Sequence, residues 1–176
     1  MGTSFVVSVF LQEVRGYSPV KTGVIFTAAT LGILGSSLAA ERLAKRFSQR
    51  TLIVAGFLTT IAGVVVLVLL VRAWDSLAAF VPGLLLIGLG LGGMLTPSVN
   101  VGQSSFPEEL QGEISGLSRS VSNLGSSFGT AIAGTIIVSV VSGGNRAYAI
   151  AMITLAAIGL IGLVAALRLP GRIGRA

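Results

Sequence analysis

Five stretches of roughly twenty residues run through this chain without a charge in their middles, and they decide almost everything that follows. They cover approximately residues 22–40, 51–71, 77–101, 114–142 and 147–167, each bounded by charge, Pro or Gly. Arg119 is the nearest exception, close to the start of the fourth. About 20 mostly apolar residues in helical form cross the hydrocarbon core of a bilayer. Strands are the wrong reading, because runs of this length exceed barrel strands and lack the period-two alternation a membrane barrel needs. Composition agrees. Only 10% of the 176 residues are charged, against about 25% in a soluble domain that must coat itself for water. The expectation is an all-α membrane protein organised as a single transmembrane helical domain over residues 1–176.

Ahead of these spans, residues 5–11 are apolar but too short to cross. They read as a truncated N-terminal helix stub, the last turns of a sixth helix. The polar run from Gln12 to Ser18 reads as a turn, and Pro19 suits the opening of the next helix.

Lys and Arg in short loops set orientation. Arg42, Lys45, Arg46 and Arg50 fall on the same side as Arg119, Arg168, Arg172 and Arg175 when the spans alternate. Arg15, Lys21, Arg72 and Arg146 fall on the other. The richer side is expected to be cytoplasmic, with the C-terminus there, in a multi-pass protein of the cell membrane. The net charge of +6 is loop charge of this kind. The basic residues form no aromatic-interleaved patch, so no nucleic-acid partner is expected.

Several chemistries are excluded outright. The chain has no Cys and no His, which removes thiolate nucleophiles, disulfides and the commonest general base and metal ligand. No Asp or Glu lies well inside any span, so no buried acid–base pair supports an enzyme. No metal and no cofactor is expected.

Small residues let membrane helices approach closely. Gly56 and Gly63, seven apart, share a face of the second span; Gly125 and Gly129 form a GxxxG in the fourth. All four are expected to pack helices, with sliding contacts in a transport cycle as the functional alternative. The third span is densest in glycine: Gly83, Gly88, Gly90, Gly92 and Gly93, then Pro97. Gly88 to Gly93 spells GxGxxG, but inside an apolar span rather than between a strand and a helix, so it carries no nucleotide reading. In the fourth span Ser115, Ser118, Ser122 and Ser126 draw a hydroxyl stripe down one face. Such a stripe either joins two helices or borders a water-filled cavity. Arg119 lies among these serines, and both a snorkelling and a gating role are open to it.

The run Phe10-Leu11-Gln12-Glu13-Val14-Arg15-Gly16-Tyr17-Ser18-Pro19, followed by Gly23, resembles the "YLQ-x-x-x-GYSP-x-x-x-G" stretch of major facilitator superfamily transporters. The EmrB/QacA-type fourteen-span drug:proton antiporters are the branch it is most similar to. Pro107 to Leu117 resembles that family's "P-x-x-x-x-G-x-x-S-G-L" inner loop entering a helix. Leu43, Arg46, Phe47 and Arg50 fit a degenerate copy of the superfamily's "G-x-L-x-D-R-x-G-x-R" loop, while Glu41, Lys45 and Ser48 depart from it. The resemblance implies the C-terminal helical bundle of the major facilitator fold. The missing N-terminal bundle would be its partner, protons the coupling ion, and hydrophobic or cationic small molecules the substrate, moved by alternating access. It further implies that Phe26, Thr30, Met94, Asn123 and Ser127 border the substrate cavity. Two other readings stay open: a structural or regulatory membrane protein that moves nothing, and a carrier of another metabolite.

Overall fold

The structure, a computed structural model, describes residues 1–74, 76–104, 106–139 and 144–169, with the backbone alone at 41, 72, 100–104, 144 and 145. The expected end of the fourth span at residue 142 and the tail arginines Arg172 and Arg175 lie outside these residues, as do the side chains of Glu41 and Arg72. Six helices follow one another: α1 (Gly2–Val9), α2 (Pro19–Leu43), α3 (Gln49–Ala73), α4 (Phe80–Ser104), α5 (Gln111–Ser139) and α6 (Gly144–Leu167). The five from α2 onward are long and apolar enough to cross a bilayer. The fold is all-helical, as the periodicity required.

The first helix runs further than its sequence indicates. Residues 12–14 were expected in a turn, yet a π-helical turn, Phe10–Val14, prolongs α1. Two local bonds explain the extension. The Gln12 amide donates to Ser8 Oγ one turn back at 3.0 Å, and the Arg15 N–H reaches the Phe10 carbonyl at 3.1 Å. The chain then stops on Gly16, whose φ of 64° is accessible to a residue without Cβ. Tyr17 N–H closes back onto the Leu11 carbonyl at 2.9 Å, satisfying a carbonyl the helix end would orphan. Ser18 next caps α2 by accepting the Lys21 N–H at 3.4 Å, and Pro19 takes the first helical position. The Gly-Tyr-Ser-Pro signature is thus one helix stop followed directly by one helix start. Ser48 repeats the device for α3, accepting from Thr51 N at 3.2 Å.

Helix α4 is the centre of the packing, with α2 and α3 on nearly opposite sides of it. Backbone contact explains why its glycines are so dense. A Cβ on Gly88 would stand 2.1 Å from the Ala29 carbonyl oxygen, and one on Gly92 2.4 Å from that of Ile33, both in α2. On the other side, a Cβ on Gly90 would meet the Gly56 carbonyl at 2.6 Å, and one on Gly83 the Leu67 Cβ at 2.5 Å, both in α3. Spacing of two between Gly88 and Gly90 turns the chain by about 200°, which is how one helix serves two neighbours. Lipid tails are as apolar as leucine, so such close approach, not hydrophobic burial, joins membrane helices. Helix α6 packs on α3, where Gly162 seats the Phe57 ring, and α1 lies against α5 and α6.

Where α1, α3, α4 and α6 meet, Phe10 is the hub of an aromatic group. Its ring lies edge-on to Tyr148 at 5.0 Å and tilted to Phe80 at 6.1 Å. Val6, Val7, Leu11, Leu84 and Met152 complete the buried core around it.

Candidate functional site

Helix α5 has two unlike halves. Its C-terminal half packs: Ala133 is fully buried, and Ser126, Gly129, Thr130, Ile136 and Ile137 are half-buried. Counting about 100° per residue, Ser115, Ser118, Arg119, Ser122 and Asn123 fall on this same inward side. In the N-terminal half, however, all five are exposed. Leu117, Val121, Leu124 and Phe128 occupy the opposite side, where they face outward. The hydroxyl stripe therefore lies on the inward side of α5, where these polar residues are exposed.

The five residues expected at a cavity fall in three settings. Asn123 is exposed on the polar face of α5. Ser127 is exposed beside it and borders an open groove of about 480 Å³ with Ser126, Thr130 and Met1. Thr30 of α2 is exposed and its hydroxyl bonds back to the Phe26 carbonyl at 3.3 Å. Phe26 is half-buried against the core. Met94 is turned elsewhere, its Cβ 2.6 Å from the place a Cβ on Gly56 would take. It serves the α3–α4 seam.

The glycines divide in the same way. Gly56 and Gly63 are buried against α4, each with no room for a methyl group. Gly125 has open space around it, and Gly129 meets only Leu155 at ordinary contact distance. The backbone of Gly129 nevertheless matters. A Cβ on Gly2 would stand 2.9 Å from its carbonyl oxygen, so α1 crosses α5 there.

Of the loop residues Leu43, Arg46, Phe47 and Arg50, the first three are exposed, Leu43 as the last residue of α2 and Arg46 and Phe47 on the turn before α3. Arg50 reaches across the bundle end and donates to the Leu167 carbonyl, in the last turn of α6. At the opposite end Arg15 does the same for α3, its Nη2 donating to the Val71 carbonyl at 3.2 Å while the guanidinium lies 5.6 Å from the Phe10 ring centre. Carbonyls in a last helical turn have no intrahelical donor, and a cation there also meets the negative end of the helix dipole. Neither partnership was legible in the sequence, since each joins residues on different helices.

The sequence profile of the Major Facilitator Superfamily matches residues 1–174, nearly the whole chain. The chain belongs to the Major Facilitator Superfamily. Curated relatives point to one corner of it. A puromycin resistance protein of Streptomyces alboniger is 36% identical over 130 residues, 72% of this chain and 26% of its own length. The multidrug efflux pump LfrA of Mycolicibacterium smegmatis is 32% identical over 77% of the chain and 27% of its own length. The quinolone resistance protein NorB of Staphylococcus aureus is 30% identical over 93% of the chain and 36% of its own length. This Major Facilitator chain thus spans about a quarter to a third of the relatives it matches. It is a membrane protein of a transporter family, related to drug efflux pumps.

Proposed function

We propose that this Major Facilitator chain is one helical bundle of an exporter that moves hydrophobic, often cationic, compounds out of the cell in exchange for protons. It supplies one wall of the substrate cavity, and a second bundle, in the position of the family's N-terminal one, supplies the other. The observation that carries the reading is the polar face of α5, with Ser115, Ser118, Ser122 and Asn123 exposed on the inward side of an otherwise apolar helix. Hydroxyls at membrane depth gain nothing from lipid, so a face of this kind borders either water or another helix. Phe26, Thr30, Asn123 and Ser127 are the candidates for substrate contact, offering an aromatic ring, two hydroxyls and an amide and no formal charge. An acid able to carry the proton comes from the partner bundle, because no Asp or Glu lies deep in a span of this chain. The loop from Arg42 to Arg50 and the C-terminus face the cytoplasm by the excess of basic residues on that side.

The names of the relatives support export: one is a multidrug efflux pump, and two are resistance proteins, for puromycin and for quinolones. The test is efflux of a fluorescent lipophilic cation from bacteria lacking their own drug pumps. The chain is expressed alone and together with an N-terminal bundle from a relative. Efflux that requires both pieces and collapses with the proton gradient is the expected result. Efflux from this chain alone would refute the requirement for a second bundle. Absence of efflux with both pieces inserted and bound to each other would favour another cargo or a non-transporting role.

A further inference from the structure

The chain's one tryptophan and both tyrosines, Trp74, Tyr17 and Tyr148, all lie at the same end of the bundle. Tyr17 precedes α2, Trp74 closes α3, and Tyr148 sits in the first turns of α6. Aromatic rings with a polar edge gather at the headgroup level of a bilayer, so this end marks the membrane interface. Arg15, Lys21 and Arg146 accompany them.

Just inside that interface lies an apolar cavity of about 50 Å³, open on one side, between α1, α3, α4 and α6. Val7, Phe10, Val68, Phe80, Ala149 and Met152 are among the side chains that form it. Its depth follows from the helices: Tyr148 to Met152 and Phe10 to Val6 each span about one turn of 5.4 Å. A water site needs only about 10–15 Å³, so the space accepts several methylene groups. Of its lining side chains only Tyr148 carries a polar group, short of the about two to four partners a buried water needs, and largely apolar cavities stay dry or take apolar guests.

Charge at the rim identifies the guest. The Arg15 guanidinium lies over Phe10 and holds the Val71 carbonyl, and both of those residues line the cavity. A guanidinium fork has five N–H donors and matches phosphate oxygens. Arg146 is exposed one helical turn before Ala149 and on the same side of α6. Glu13, exposed on the π-helical turn, is the one acid near this rim among the described residues. We propose that this cavity is a binding site for an anionic phospholipid. The upper methylenes of one acyl chain enter between α1, α3 and α6, and the phosphate meets Arg15 and Arg146. Two cations at the rim repel a lipophilic cation, so the site is separate from the polar face of α5 and does not depend on what the protein carries.

Trp74 tests this directly, being one turn beyond the cavity-lining Val71 and the sole tryptophan of the chain. The protein is reconstituted into phosphatidylcholine vesicles holding a minor fraction of dibrominated phosphatidylglycerol, and separately of dibrominated phosphatidylcholine. Bromine quenches indole at contact range. The site predicts a relative binding constant for phosphatidylglycerol about fivefold or more above that for phosphatidylcholine, the worth of one basic residue near a lipid surface. Arg146→Gln, at an exposed position, should bring that ratio toward one while the circular dichroism spectrum stays unchanged. Ala149→Leu, which fills part of the cavity, should reduce quenching by phosphatidylglycerol to the level set by its mole fraction. Equal quenching by the two lipids overturns the proposal. So does a ratio that survives both substitutions, or relief of quenching by the lipophilic cation tetraphenylphosphonium, which would make the pocket a drug site.

Discussion

Helices α4 and α5 are neighbours in the chain, and both are rich in small residues, yet the bundle uses them in opposite ways. In α4 four glycines, Gly83, Gly88, Gly90 and Gly92, disappear into two seams, each against the backbone or Cβ of a neighbour. In α5, Gly112, Gly116 and Gly125 have nothing within 4 Å, and Ser115, Ser118, Ser120 and Ser122 are exposed. Small side chains are therefore no guide to packing by themselves. What separates the helices is their polar content: α4 alternates Gly with Leu and Ile along residues 83–91, whereas α5 alternates Gly with Ser along 115–127. Glycine among apolar residues closes a seam, and glycine among hydroxyls leaves a face for something polar.

The contrast is open to direct attack within a single helix. Gly88→Ala places a methyl group 2.1 Å from the Ala29 carbonyl oxygen, and overpacking of this kind costs about 1–3 kcal/mol or more. Loss of monodisperse protein, or a large drop in the melting temperature in detergent, is the expected outcome. Gly93→Ala, in the same helix but with open space around it, should melt within about 0.5 kcal/mol of the parent. If the two variants melt alike, the seam is not what holds α4. A smaller effect is expected from Arg50→Met, which removes the donor to the Leu167 carbonyl and should cost about 1 kcal/mol. A melting temperature unchanged by that substitution would show the clasp to be incidental. Least of all should the fold respond to Ser118→Leu with Ser122→Leu. Both sites are exposed, so melting should shift by less than about 0.5 kcal/mol, whereas drug efflux by the paired bundles should fall sharply. Efflux at the parental rate would leave the polar face without a role in transport.

Much of the architecture was legible because the bilayer imposes a length. The charges Lys21, Arg42, Arg50 and Arg72 bracket two of the spans, and the observed helices overrun those brackets by no more than a residue or two. Pro19 announced a helix start by its chemistry alone, while the cap supplied by Ser18 came from the structure. The first helix was misjudged for an equally physical reason. Gln12 and Glu13 read as turn residues, but a side-chain bond to Ser8 and a wide π-helical turn keep them helical. Of the candidate site, the stripe on α5 followed from spacing. The direction of Met94 did not, because both faces of α4 are lined with glycine and only the packing shows which neighbour each faces. Arg15 and Arg50 were counted as loop charges, and their acceptors, main-chain carbonyls of other helices, leave no mark in a sequence.

The glycine seams of α4 carry a mechanical meaning as well. Most helix contacts in proteins contain rotatable side chains that can absorb a small displacement by changing rotamer. Between α2, α4 and α3 several contacts press a glycine against a neighbour's backbone or Cβ, and those points have little rotamer freedom to yield. The three helices consequently behave as a stiff plate. A push on the outer surface of α2 would then reach α3 as a shift of the layer, whereas the glycines in the first half of α5, Gly112, Gly116 and Gly125, form no such seam.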